Sequence, residues 1–101
     1  MLRTGDDYRD SIRDGREVWI DGERVVDVPA HPAFKPIVDA RARIYDMAHE
    51  QGLRERLTFA DPASGERLLE AHKLPRERAD WERKREAVDA TLYDLGGVVI
   101  R

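Results

Sequence analysis

The sequence contains no cysteine, which excludes disulfide staples, thiolate metal centres and cysteine nucleophiles and fits a reducing compartment. It also lacks any apolar run approaching the roughly 20 residues needed to cross a bilayer. Asp6, Asp7, Asp10 and Asp14 occupy the stretch where a signal peptide would need its apolar segment. These absences lead to an expectation of a cytoplasmic location and no membrane partner. No block of a single charge sign exists either: 18 Lys and Arg interleave with 21 Asp and Glu for a net charge of −3, which argues against nucleic acid as a partner. Catalytic motifs are equally scarce. No glycine-rich loop follows a strand to cradle a phosphate and no Gly-x-Ser-x-Gly elbow occurs. The 3 histidines, His31, His49 and His72, lack metal-ligand spacing, so no metal site is expected.

What is present reads as one mainly α domain. A chain of 101 residues supports a single small core, and a 39% charged fraction demands wide solvated faces. The organising stretch is 34–51. Ile37, Ala40, Ile44, Met47 and Ala48 recur at spacings of three and four, Pro36 sits near the start and Gly52 follows the end, which predicts a helix over 35–51. Pro75 opens a second long helix over 76–95, with Trp81, Val88, Leu92 and Leu95 as its apolar stripe, Ala87 and Thr91 at the margin, and Gly96-Gly97 as its stop. The two stripes are expected to bury one another.

Smaller elements flank these helices. Thr4 with Asp7 resembles a capping box that opens a short helix over 5–14, presenting Tyr8 and Ile12 on one side. Asp21-Gly22 predicts a hairpin over 16–28 that pairs Ile20 with Glu23, Trp19 with Arg24 and Val18 with Val25, with Arg16 facing Asp27 at the open end. Leu53, Leu57 and Phe59 predict a short helix passing into a loop. Residues 61–65 read as a turn, and Leu68, Leu69 and Leu74 lie in a poorly periodic crossing segment. Pairs such as Asp80/Lys84 decorate the wet side of the last helix, and Asp39, Asp46 and Glu50 are acids of a kind any helix surface carries. Among the aromatics, Tyr45 and Trp81 are expected in the core. Trp19 either stacks on Arg24 or packs on another domain, and Tyr93 is a further candidate for a ligand surface.

A resemblance adds to this reading. Thr4-Gly5-Asp6-Asp7-Tyr8, then 11–20 (Ser-Ile-Arg-Asp-Gly-Arg-Glu-Val-Trp-Ile), Gly22-Glu23-Arg24-Val25, Asp27-Val28 and His31-Pro32-Ala33-Phe34 resemble the opening of the 4-hydroxyphenylacetate 3-monooxygenase family. Its members are the oxygenase components of two-component flavin-dependent aromatic hydroxylases. A looser likeness continues through Tyr45-Asp46 to the helix ending near Tyr93, so it spans nearly all of this chain but only about the first fifth of a member. The resemblance implies the N-terminal helical domain of an acyl-CoA dehydrogenase-like fold, a fragment of a larger protein and inactive alone. It implies reduced FAD delivered by a separate flavin reductase, bound mainly by domains absent from this chain, and O2 as co-substrate through a flavin hydroperoxide. The implied partners are the remaining oxygenase domains and further copies in a homodimer or homotetramer. Family hydroxylases carry Gly-Arg and then Thr-Pro-Asp-Tyr just past the last long helix, and that arginine and tyrosine approach the substrate phenol. Here the run is Gly96-Gly97-Val98-Val99-Ile100-Arg101, which puts Val98 at the arginine position and leaves Arg101 to fill the substrate-binding role through a remodelled loop. The alternatives are a stand-alone structural or oligomerisation module, and a 4-hydroxybutyryl-CoA dehydratase-like relative.

Overall fold

The structure, a computed structural model, describes residues 2–97. Its first helix, α1 (Gly5–Ser11), starts where Thr4 and Asp7 cap one another: the Asp7 N–H donates to Thr4 Oγ1 at 3.1 Å and the Thr4 N–H to Asp7 Oδ2 at 2.9 Å. The bond donated by the Thr4 N–H, and then the Thr4 side chain, hold the Asp7 carboxyl below its usual range. The helix ends three residues before the expected Asp14, because the Ser11 hydroxyl donates to the Tyr8 carbonyl and Asp14 instead accepts from the backbone and guanidinium of Arg16.

The hairpin forms with β1 (Val18–Ile20) and β2 (Glu23–Val25) in the register expected from its turn: Val18 opposite Val25, Trp19 opposite Arg24 and Ile20 opposite Glu23. Asp21 at φ 50° and Gly22 at φ 76° form the two-residue connection. Pairing stops sooner than the alternation suggested. Arg16 pairs with Asp14 and Asp27 with Arg13, so the expected Arg16–Asp27 closure is replaced by two other ion pairs. Replacing Gly22 with valine puts a β-branched residue at positive φ, at a cost of about 1–2 kcal/mol. Thermal melting is expected to show a Tm lower by roughly 5–10 °C; identical melting curves would contradict the turn geometry.

A 3-10 turn (Val28–Ala30) with Pro29 buried leads into α2 (Lys35–Met47). Just ahead of α2, the Phe34 ring lies against that of His31, 5.8 Å between centroids. The helix stops four residues short of the expected Gln51. Ala48, His49 and Glu50 donate to the carbonyls three residues before them, a tightened end that satisfies the last carbonyls. Gly52, at φ 87°, then turns the chain into α3 (Arg54–Leu57).

A second antiparallel hairpin follows where the sequence reading placed a loop and a crossing segment: β3 (Thr58–Ala60) pairs with β4 (Arg67–Leu69) around the turn at 61–65. Asp61 organises that turn by accepting from the backbone and hydroxyl of Ser64. A 3-10 turn (Glu70–His72) and then α4 (Arg78–Asp94) complete the described chain.

Packing corrects the expected stripes. α2 uses two faces. One meets α1, where the Gly5 N–H donates to Asp46 Oδ1 at 2.7 Å and Tyr8 stacks on Tyr45 with centroids 5.3 Å apart. The other, through Met47 and Ala48, meets Leu57 of α3 and Ala87 and Ala90 of α4. On α4 the buried positions are Asp80, Ala87 and Ala90, whereas Trp81 is 63% and Val88 53% exposed. The helix is thus rotated by about one residue, roughly 100°, from the stripe its bulky residues suggest. Ala87 and Ala90 share a buried cluster with Met47, Ala48 and Leu57, while α4 rests mainly on α3 and the 3-10 turn at Glu70–His72. The long helices therefore meet at one end through small side chains. The radius of gyration, 15.8 Å, exceeds the ~13 Å of a compact chain this long, and the extents are 49 × 30 × 25 Å.

Candidate functional site

Because α4 turns alanines inward, its larger residues are left to form one wall of an apolar groove. Val88, Leu92 and Leu95 line it from α4, Ile44 from α2, Leu57 from α3 and Leu69 from β4, enclosing about 330 Å³. The polar residues lining it are Lys84 and Thr91, whose hydroxyl donates to the Ala87 carbonyl at 2.9 Å. The Lys84 ammonium donates to the Glu70 carbonyl at 2.9 Å and to the Ala71 carbonyl at 3.0 Å. Glu70 is itself fully buried. Its Oε2 accepts from Arg83 at 3.4 Å, and Arg83 also donates to the main-chain carbonyls of Glu55 and Thr58, tying α3 and the second hairpin to α4. Glu70 Oε1 has no hydrogen-bond partner. Nothing at the level of the sequence marked Glu70, since its counter-ion lies 13 residues away.

The start of α4 is anchored by a second carboxylate. Asp80 Oδ2 accepts from the N–H groups of Arg76 and Glu77, and Oδ1 from Lys73 Nζ at 2.7 Å. The expected Asp80/Lys84 surface pair is therefore corrected, as each residue bonds elsewhere. The signal that would have found this was the Glu77-to-Asp80 spacing of a capping box. Lys73 first, then the donated N–H bonds, hold the Asp80 carboxyl down at about 2 against an ordinary 3.8. A depressed folded-state pKa means this stabilisation is complete above pH 3.8 and disappears as pH falls through about 2. Asp80→Asn is expected to lower Tm at neutral pH and to approach the unsubstituted chain in strong acid. A difference between the two that does not change with pH would contradict the ion pair.

The other candidate residues do not converge. Asp39 pairs with Arg9 and Lys35, Asp46 caps α1, and Glu50 joins Arg43. Arg43 also pairs with Asp94 at 2.8 Å, linking α2 to the end of α4, and these partners raise its pKa. His31 Nδ1 accepts from the Ala33 N–H, and His49 Nε2 lies 3.1 Å from the Arg3 carbonyl. Among the described residues no group of three or more His, Asp or Glu can hold a metal ion. Trp19 is exposed with its indole N–H donated to Glu17, Tyr93 is exposed, and Trp81 is outside the core where it was expected. Arg101 lies outside the described residues. The groove does not fit FAD: its volume is at the low end of the roughly 300–1,000 Å³ of small-ligand sites, and Lys84 is the single charged group facing it, too little to hold a pyrophosphate. No helix among the described residues is long and apolar enough to cross a membrane.

Comparison with known proteins finds relatives much longer than this chain. The chain is 36% identical over 86 residues to the 4-hydroxyphenylacetate 3-monooxygenase oxygenase component of Klebsiella oxytoca, covering 84% of this chain and 16% of that protein. It is 33% identical over 94 residues to the FADH(2)-dependent monooxygenase TftD of Burkholderia cepacia, covering 93% and 18%. It superposes with a TM-score of 0.82 and 30% identity on the crystal structure of the oxygenase component of 4-hydroxyphenylacetate 3-monooxygenase complexed with FAD, covering 91% of this chain and 19% of that one. A 4-hydroxybutyryl-CoA dehydratase from N. maritimus shares the fold, with a TM-score of 0.79 at 23% identity. The chain spans less than a fifth of the length of each of these relatives. The family model for the 4-hydroxyphenylacetate 3-hydroxylase N terminal matches residues 4–101, and the chain belongs to that family.

Proposed function

We propose that this chain is the N-terminal helical domain of a two-component, FADH2-dependent aromatic hydroxylase that uses O2 on a phenol of the 4-hydroxyphenylacetate kind. The observation that carries this reading is the superposition, at a TM-score of 0.82, on an oxygenase component solved with FAD. The activity belongs to the longer protein. Its remaining domains, in an acyl-CoA dehydrogenase-like arrangement, hold the flavin, a separate reductase supplies it reduced, and copies assemble as a dimer or tetramer in the cytoplasm. This domain contributes one wall of the substrate pocket. Arg101 contacts the anionic substrate, a role supported by the resemblance to relatives whose arginine after the last long helix approaches the substrate phenol.

The test is a full-length chimera in which residues 1–101 replace the matching first fifth of the Klebsiella oxytoca relative, supplied with a flavin reductase, FAD and 4-hydroxyphenylacetate. Hydroxylated product is expected from the chimera and none from the isolated chain. A folded, FAD-binding chimera without turnover on 4-hydroxyphenylacetate, chlorophenols or nitrophenols would overturn the reading. In an active chimera, Arg101→Ala is expected to raise KM about tenfold, the loss of one charge-assisted contact. Unchanged KM and kcat would remove Arg101 from the site.

A further inference from the structure

We infer that Asp21-Gly22 is a modification site. The chain converts there spontaneously to a β-linked isoaspartyl residue, a substrate for carboxyl methyl transfer by an isoaspartate-directed methyltransferase, whereas Asp14-Gly15 is protected from the same reaction. The inference does not depend on the oxygenase reading.

The sequence isolates the chemistry. It has no asparagine, so the ring closure that usually starts from an asparagine amide is left to aspartate, and it holds two Asp-Gly pairs, one on each side of β1. Glycine matters because the following backbone nitrogen has to reach the side-chain carboxyl carbon, and a Cβ there obstructs the approach. The step balances without a co-reactant. The Gly22 nitrogen attacks Cγ of the protonated Asp21 carboxyl, the N–Cγ bond forms and the Cγ–OH bond breaks. One water leaves, made of the acid hydroxyl and the amide proton. A second water then opens the five-membered succinimide. Addition at the main-chain carbonyl leaves the chain running through Cβ and Cγ, with the α-carboxylate free and the composition unchanged.

The structure separates the two pairs. Asp14 Oδ1 accepts from the Arg16 N–H at 3.3 Å and from Arg16 Nε at 2.8 Å, and its Oδ2 accepts from Arg16 Nη2 at 2.7 Å. Swinging that carboxyl over the Gly15 nitrogen breaks the fork. The Arg16 guanidinium also holds the Asp14 carboxyl down at about 2 against an ordinary 3.8, which leaves little of the acid form that can shed water.

Asp21 has neither restraint. Its carboxylate makes no hydrogen bond or ion pair among the described residues, and the Gly22 N–H donates to none of them. Both residues are exposed, and a Cβ built on Gly22 would meet nothing within 4 Å, so the space around the reacting nitrogen is open. The folded turn has to relax before the nitrogen reaches Cγ, and the hairpin makes that easy. Its strands, Val18–Ile20 and Glu23–Val25, are three residues each and pair only with one another. The product adds one atom to the backbone of a two-residue turn, and that exposed position presents the new α-carboxylate to an enzyme.

The test ages the 101-residue chain at neutral pH. Isoaspartate is read by methyl transfer from S-adenosylmethionine with a purified isoaspartate-specific carboxyl methyltransferase, and each site is located by fragmentation mass spectrometry. In the folded chain Asp21 is expected to convert about tenfold faster than Asp14, or more, the smaller share of acid form at Asp14 accounting for that much by itself. In urea, which removes the fork along with the fold, the two rates are expected to agree. Arg16→Gln is expected to bring Asp14 close to the rate of Asp21 in the folded chain. Asp21→Asn keeps the turn chemistry and is expected to reach the same product faster, losing ammonia in place of water. No isoaspartate at Asp21 in the folded chain, or equal conversion at Asp14, overturns the inference. So does a preference that persists in urea or survives Arg16→Gln, because the order would then come from neighbouring residue types and not from the fold. An isoaspartyl product at Asp21 that accepts no methyl group overturns its assignment as a methyl-transfer substrate.

Discussion

Replacing Gly5 with valine is expected to destabilise the chain by about 3 kcal/mol, the upper part of the usual overpacking range, and to lower Tm by roughly 12–20 °C. Gly5 lies in the first turn of α1, where helix geometry itself would accept a side chain. The restriction comes from α2. A Cβ at this position would stand 2.5 Å from Asp46 Oδ2 and 2.8 Å from the Ala42 carbonyl oxygen. The carboxylate could swing away, but only by giving up the 2.7 Å bond it accepts from the Gly5 N–H. The carbonyl belongs to the middle of α2 and has nowhere to go. A double-mutant cycle separates the two: Asp46→Ala removes the first clash and leaves the second, so the pair is expected to be coupled but Gly5→Val to remain costly in both backgrounds. Equal melting temperatures for Gly5→Val and the unsubstituted chain would mean that α1 does not dock on α2 in this way.

Truncating Met47 to alanine is expected to cost about 3–4 kcal/mol, within the range for deleting a buried Met side chain. Met47 is fully buried, and its neighbours in the core are Ala48, Leu57, Ala87 and Ala90. Three of those four are alanines. They have no spare atoms to swing into the void, and two of them belong to a helix anchored at one end by Asp80 and at the other by the Arg43–Asp94 pair. The cavity therefore persists instead of collapsing. Urea denaturation is the appropriate measurement: the midpoint should fall while the slope is retained, and a change below about 1 kcal/mol would show that the site relaxes.

Both effects arise at points that residue order does not disclose, in contrast to features that it does. The Thr4–Asp7 capping box and the Asp21-Gly22 turn are complete within a few residues, and the turn sets the register of Val18–Ile20 on Glu23–Val25 without outside help. The existence of the two long helices is equally legible from spacing. Three things were not. The second hairpin has strands of three residues, Thr58–Ala60 and Arg67–Leu69, too short for an alternation to register. The buried Glu70 depends on Arg83, a partner found only after the chain has turned back. The rotation of α4 runs against hydrophobicity: tryptophan and valine face outward and alanine inward, because the surface α4 packs on is built from α3 and the 3-10 turn at Glu70–His72, segments whose placement residue order does not disclose.

Residue order alone establishes the helical character of the chain, its hairpin and turn chemistry, and the resemblance that points to its family, since each is a matter of neighbours along the backbone or of matched motifs. The packed chain decides which face of α4 is inside, why position 5 must be glycine, and that an apolar groove remains beside Lys84. These depend on how closely two helices approach, a quantity set by residues 40 and more positions apart such as Gly5 with Asp46 and Met47 with Ala87.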